Sequence, residues 1–126
     1  MNRVVQMDIG GTEYPLCFST AVSCAMDEKF HGYDGFNAIM QSDSIKARLD
    51  AALWMLDQLL QSGKRRAEWF GEAAPTPPTL AVLPDLFTVA DLLAVVTKIN
   101  EALAAGNARD VEAEPPKNAE TTPGIS

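Results

Sequence analysis

Two alternating runs joined by Gly10-Gly11 constrain this chain more than any other feature. Arg3 to Ile9 places Val5, Met7 and Ile9 on one face, and Thr12 to Phe18 places Tyr14, Leu16 and Phe18 on one face. Two glycines between them suit a two-residue turn that needs positive φ. The pattern predicts a hairpin over residues 3–18 with Ile9 opposite Thr12, Met7 opposite Tyr14 and Val5 opposite Leu16. In that register both apolar sets share one face of the ribbon. Pro15 then falls opposite Gln6, where its missing N–H points outward, as on an edge strand. A lone hairpin is only marginally stable, so this one must pack on other elements.

The rest of the chain has helical periodicity. Ser19 is a good N-cap for a helix over 20–31, with Val22, Met26 and Phe30 as its stripe, Ala25 beside them and Gly32 as its stop. A short helix over 35–41 follows, with Asp34 as a cap and Phe36, Ile39 and Met40 at i, i+3, i+4. Ser42, Asp43 or Ser44 caps a third helix over 44–62. Its wide apolar face comprises Ile45, Leu49, Ala52, Leu53, Leu56, Leu59 and Leu60, broadened by Trp54 and Met55. Gly63 is expected to end it, with Lys64, Arg65 and Arg66 where the helix dipole favours cations. Residues 67–84 read as loop or short helical turns, because Ala74-Pro75-Thr76-Pro77-Pro78-Thr79 excludes a regular helix. Trp69 and Phe70 are expected to anchor that segment to the core. A last helix over 89–105 opens on Thr88 and Asp91, spaced as in a capping box, with Val89, Leu92, Leu93, Val96, Ile99 and Leu103 as its stripe. Gly106 is its expected stop. The polar, proline-containing stretch 107–126 is expected to be a disordered tail. The fold class is therefore α+β, mainly α: one domain over 1–106, with an N-terminal hairpin packed on about four helices.

Composition narrows the function classes. The 126 residues carry a formal net charge of −7. That charge repels phosphate backbones and anionic lipid surfaces, so neither nucleic acid nor membrane is an expected partner. No apolar run approaches the roughly 20 residues of a membrane helix. The N-terminus shows no signal-peptide pattern, so the expected location is cytoplasmic, with Cys17 and Cys24 reduced.

No constellation points to catalysis, a metal or a cofactor. Cys17, Cys24 and His31 match no zinc spacing. Free cysteines pack as small hydrophobes, and the dipole accounts for a histidine at a helix end. Asp43-Ser44-Ile45 resembles the Asp-Ser-Leu motif of acyl carrier proteins, in which Ser44 would carry the prosthetic arm. Lys46 and Arg48 follow it here instead of an acidic helix, and Asp and Ser are ordinary caps. Gly10-Gly11 leads into a strand and no Lys-Ser/Thr follows, so it is no phosphate loop. Lys64-Arg65-Arg66 reads as a docking site or as a solvated helix end. Asp27, Glu28 and Asp57 read as a solvated face. Met7, Met26, Met40 and Met55 suit a core or an adaptable binding surface. The outer edge of the hairpin and exposed parts of the last two helices are the candidate interaction surfaces.

The segment IGGTEYPLCFSTAVSCAMDEKFHGYDGF resembles the tail assembly chaperone family of long-tailed bacteriophages. In that family a hairpin of the form I-x-G-K/T-E-Y-x-L-x-F precedes a helix of the form A-x-x-x-L/M-E-E-K-Y/F-G. Ile9, Gly11, Glu13, Tyr14, Leu16 and Phe18 match the first pattern, and Met26, Glu28, Lys29, Phe30 and Gly32 match the second. The similarity covers roughly 60 to 100 residues; the Pro-rich loop 75–79 is longer than in the family. The resemblance implies a protein that is not an enzyme. It implies binding to the tape measure protein and recruitment of tail tube subunits, in the host bacterial cytoplasm, with absence from the mature virion. Self-association into a homo-oligomer is compatible with it. A form extended by ribosomal frameshifting is also implied, and Pro116-Lys117-Asn118 can be encoded through the slippery heptamer A-AAA-AAC. The alternative classes are another phage structural or adaptor protein of tail-completion type, and an acyl-carrier-like protein modified at Ser44.

Overall fold

In the computed structural model, which describes residues 3–107, strands β1 (Val4–Ile9) and β2 (Thr12–Cys17) form an antiparallel hairpin. The register is the expected one, including Val5 opposite Leu16, Met7 opposite Tyr14 and Gln6 opposite Pro15. Gly10 and Gly11 turn with φ of 63° and 90°, and the Asp8 carboxylate accepts the Gly11 N–H at 3.0 Å. Met7, Ile9 and Leu16 are buried, so one face of the ribbon meets the core and the other meets solvent. The fold is α+β and mainly α, with this hairpin laid against helices.

Helix α1 (Thr20–Phe30) starts at Ser19, whose hydroxyl accepts the Val22 N–H, and buries Val22, Met26 and Phe30 as its spacing requires. It ends one residue before the expected stop, because His31 takes the left-handed conformation with φ 63°. Helix α2 (Tyr33–Met40) buries Phe36 and half-buries Ile39 and Met40. Gly32 rather than Asp34 occupies its N-cap; Asp34 sits in the first turn, where the dipole favours its charge.

Helix α3 (Ile45–Trp69) departs most from expectation. Ser44 caps it by accepting the Ala47 N–H at 3.1 Å, but the helix runs straight through Gly63 for two further turns. At 25 residues it is roughly 37 Å long and is the spine of the molecule. The hairpin, α1, α2 and the two later helices all pack on it. Gly63 is there for contact, not for termination: a Cβ on it would lie 2.0 Å from the Pro15 carbonyl oxygen. Pro15 sits at a non-hydrogen-bonded pair of the ladder, so its carbonyl points away from β1 and towards α3. Having no N–H, it leaves no donor unsatisfied against the helix. Ala51, Ala52, Leu53, Met55, Leu56, Leu59 and Leu60 fill the core, whereas Ile45 is 43% exposed.

Beyond α3 the chain crosses the Pro-rich segment to α4 (Leu83–Leu86), a single 3₁₀ turn (Val89–Asp91) and α5 (Leu92–Gly106). Trp69 and Phe70 do not anchor this crossing; they are 84% and 58% exposed. Pro77 and Leu83 are buried instead, and Lys64 donates its ammonium to the Ala74 carbonyl. The Thr88–Asp91 pair behaves as a cap, with the Asp91 carboxylate accepting the Thr88 N–H at 2.7 Å. Helix α5 buries Val95, Ile99, Ala102 and Leu103 against α3 and β1, so its core face is turned from the expected stripe. Val89 and Leu93, expected inside, are 57% and 77% exposed. Of the expected tail 107–126, Asn107 is the C-cap of α5, and residues 108–126, including Pro116-Lys117-Asn118, lie outside the described residues.

Candidate docking groove

Leu93 of α5, displaced from the core, borders one of several clefts. A cleft of about 380 Å³ opens between α2 and α5. Tyr33, Phe36 and Met40 come from α2, and Leu92, Leu93 and Val96 come from α5. Phe36 is a buried floor, while Tyr33 and Leu93 stand up as rims, 43% and 77% exposed. The polar lining is Asn37, Gln41 and Asn100, with Arg48 of α3 at one end.

A second cleft of about 470 Å³ continues this one, sharing Tyr33 and Asn100 with it. Phe18, Ser23, Met26, Leu103 and Asn107 complete its walls. The two together follow α5 from Leu92 to Asn107, a span of roughly 22 Å, or about four helical turns. Among the described residues no carboxylate lines either cleft. That is notable in a chain with 17 acidic residues. Apolar walls, neutral amide rims and one cation at the end suit an amphipathic helix laid along the groove. They do not suit polyanions, which need several cations.

Arg48 is held with its Nε shielded from solvent and without a hydrogen-bond partner. Asp50, two residues on and on the opposite side of α3, pairs with Lys46 at 2.6 Å. A third cleft beside Trp54, Leu80 and Pro84 carries both Lys29 and Asp50, so it has no single sign of charge.

The residues singled out earlier are not assembled into a reactive site. Cys17 is buried, Cys24 is exposed, and both are free thiols. His31 is exposed at the end of α1. Among the described residues no three histidine, cysteine or carboxylate side chains are grouped to hold a metal ion. The Ser44 hydroxyl is engaged as a cap. Lys64 holds Ala74 and lies 3.8 Å from Glu68, and the Arg66 guanidinium stacks 4.9 Å from the Phe70 ring centre. These cations serve local structure, with Arg65 the exposed member. Met7, Met26 and Met55 are core residues; Met40 and one edge of Met26 also line the groove. Asp57 is partly buried, and desolvation raises its pKa against the opposing hydrogen bond from Gln61.

Among the described residues no helix is long and apolar enough to cross a membrane. No family model, curated protein or solved structure matches the chain. The class the geometry defines is thus a small, mainly helical α+β domain with an elongated cleft along α5.

Proposed function

We propose that the protein is a tail assembly chaperone of a long-tailed bacteriophage, which binds the tape measure protein and brings tail tube subunits to it without catalysis. The carboxylate-free apolar groove along α5 is the observation that carries this reading. A tape measure protein is a long helical chain whose apolar stripe needs cover before the tube encloses it. Each leucine-sized side chain laid into the groove gains roughly 1.5–3 kcal/mol, minus the cost of ordering the partner. The acidic outer surface keeps such a complex in solution. The hairpin and α1 carry the residues similar to the chaperone family, and they pack on the helices that wall the groove. The chaperone acts in the host cytoplasm and is left out of the finished particle.

Co-expression with the tape measure protein encoded downstream is the test. A soluble complex is expected, and Leu93→Asp, at an exposed groove position, should abolish it while leaving the chaperone folded. Failure of the parent chain to bind either tape measure or tube protein would overturn the reading. Recovery of the chain in purified virions would favour a tail-completion or adaptor protein.

A further inference from the structure

We infer that Arg48 selects what the groove accepts: the docked helix carries a carboxylate side chain in the terminal turn that lies over Arg48. The inference rests on the groove being a helix-binding site, as proposed above, and adds the chemistry of the occupant.

The argument begins with what docking does to Arg48. Its Nε is already out of water and makes no hydrogen bond. The side chain as a whole is only partly covered, so the bare groove leaves the charge some contact with solvent. An apolar helix seated against Tyr33, Leu93 and Val96 would remove that contact. Burying a guanidinium without an anionic partner is strongly unfavourable. Asn37, Gln41 and Asn100 can accept hydrogen bonds but bring no charge. The neighbouring acid of α3, Asp50, is committed to Lys46 at 2.6 Å. No carboxylate lines the groove among the described residues, so neutralisation must come from the occupant. A carboxylate meets the guanidinium in a charge-assisted, often bidentate pair, stronger than a neutral hydrogen bond. The same desolvation rejects a helix with lysine at that place, since two buried like charges would face each other.

Arg48 therefore sets register as well as sequence preference. Along the rest of the groove the lining is apolar or neutral-polar, so no other charge distinguishes one helix register from another. One charge at one end breaks that degeneracy.

The test uses the full chain and labelled 18-residue helical peptides, amidated and acetylated. Each has leucines at i, i+3, i+7 and i+10, and Glu, Gln or Lys in the first or the last turn. Binding is read by fluorescence anisotropy. With the parent chain, a Glu peptide of one orientation should bind about tenfold tighter than its Gln counterpart, with the Lys peptide weakest. Arg48→Gln should erase the Glu preference, Arg48→Lys should keep part of it, and Arg48→Glu should reverse it. Leu93→Asn, which leaves Arg48 in place and adds no charge beside it, should weaken all peptides together. Equal binding of Glu and Gln peptides, no binding of either, or a preference that survives Arg48→Gln would overturn the inference. Charge-selective peptide binding without a tape measure complex would instead remove the chaperone reading and leave this one standing.

Discussion

Ser62 donates its hydroxyl to Ser19 at 2.8 Å, and Ser19 in turn accepts the N–H of Val22. The N-cap of α1 is thereby tied to the middle of α3, 43 residues later in the chain. Among the described residues Ser62 is the buried polar side chain, and Ser19 is its partner. Ser19→Ala removes the cap and strands the Ser62 hydroxyl, so a loss of about 2 kcal/mol is expected. Ser62→Ala removes only the donor and should cost about 1 kcal/mol. The double variant should lose less than the sum, because one defect includes the other. Urea unfolding of the three variants measures this, and strict additivity would rule out the coupling.

Gly63→Ala sets two effects against each other. Alanine in a helix interior is favoured over glycine by about 1 kcal/mol. Its methyl, however, would stand 2.0 Å from the Pro15 carbonyl oxygen, which is backbone and cannot rotate away. Overpacking of this kind costs about 1–3 kcal/mol, and a contact this close belongs at the top of that range. The hairpin must lift off α3, so the net expectation is a loss of about 2 kcal/mol in thermal or urea unfolding. A stabilised variant would show that the hairpin does not approach α3 in this way.

Asp57 predicts a pH effect of defined sign. Desolvation raises its pKa in the folded chain, so folding favours the protonated form. Its contribution is fully present below the unfolded pKa, near pH 4, and is lost as pH rises through the raised folded value. Asp57→Asn removes that loss. The variant should therefore gain stability relative to the parent as pH climbs from about 4 into the mildly acidic range, then hold a constant gain. A difference that is flat with pH would contradict the raised pKa.

The two tryptophans should report different surroundings. Trp54 is half-buried, edge-on to Phe30 at 5.3 Å, with the Lys29 ammonium 5.3 Å from its ring centre. Trp69 is 84% exposed. Trp69→Ala should change stability by less than about 0.5 kcal/mol and remove most of the acrylamide-quenchable, red-shifted emission. Trp54→Ala should cost about 2 kcal/mol and leave that emission in place. Protection of Trp69 from quenching would show that something covers the end of α3.

The hairpin was legible because three signals in it agree: period-two alternation, a Gly-Gly turn and an outward-facing proline. The course of α3 was not, because a glycine that ends a helix and one that admits a neighbouring backbone look alike in sequence. Gly63 is of the second kind, and only the position of Pro15 reveals it. The stripe of α5 was half legible. Ile99 and Leu103 are core, but Val89 is exposed and Leu93 borders the groove, and apolarity alone does not say which. Val95 and Ala102 carry the i, i+4, i+7 spacing with Ile99 that marks the face actually buried. Exposed α5 positions were among the expected surfaces. Arg48 was not, since its setting follows from three helices, α2, α3 and α5, brought together across the chain.

Among the described residues the crossing from α3 to α4 is the longest stretch without helix or strand. Residues 72–79 contain no helix or strand, yet α5 on its far side packs on α3 and β1. Connectivity and cohesion are thus separable here. A chain severed between Thr76 and Pro77 should not fall apart, and two pieces, 1–76 and 77–126, produced apart should find each other and reassemble. Such complementation would make α5, half of the groove wall, an exchangeable part.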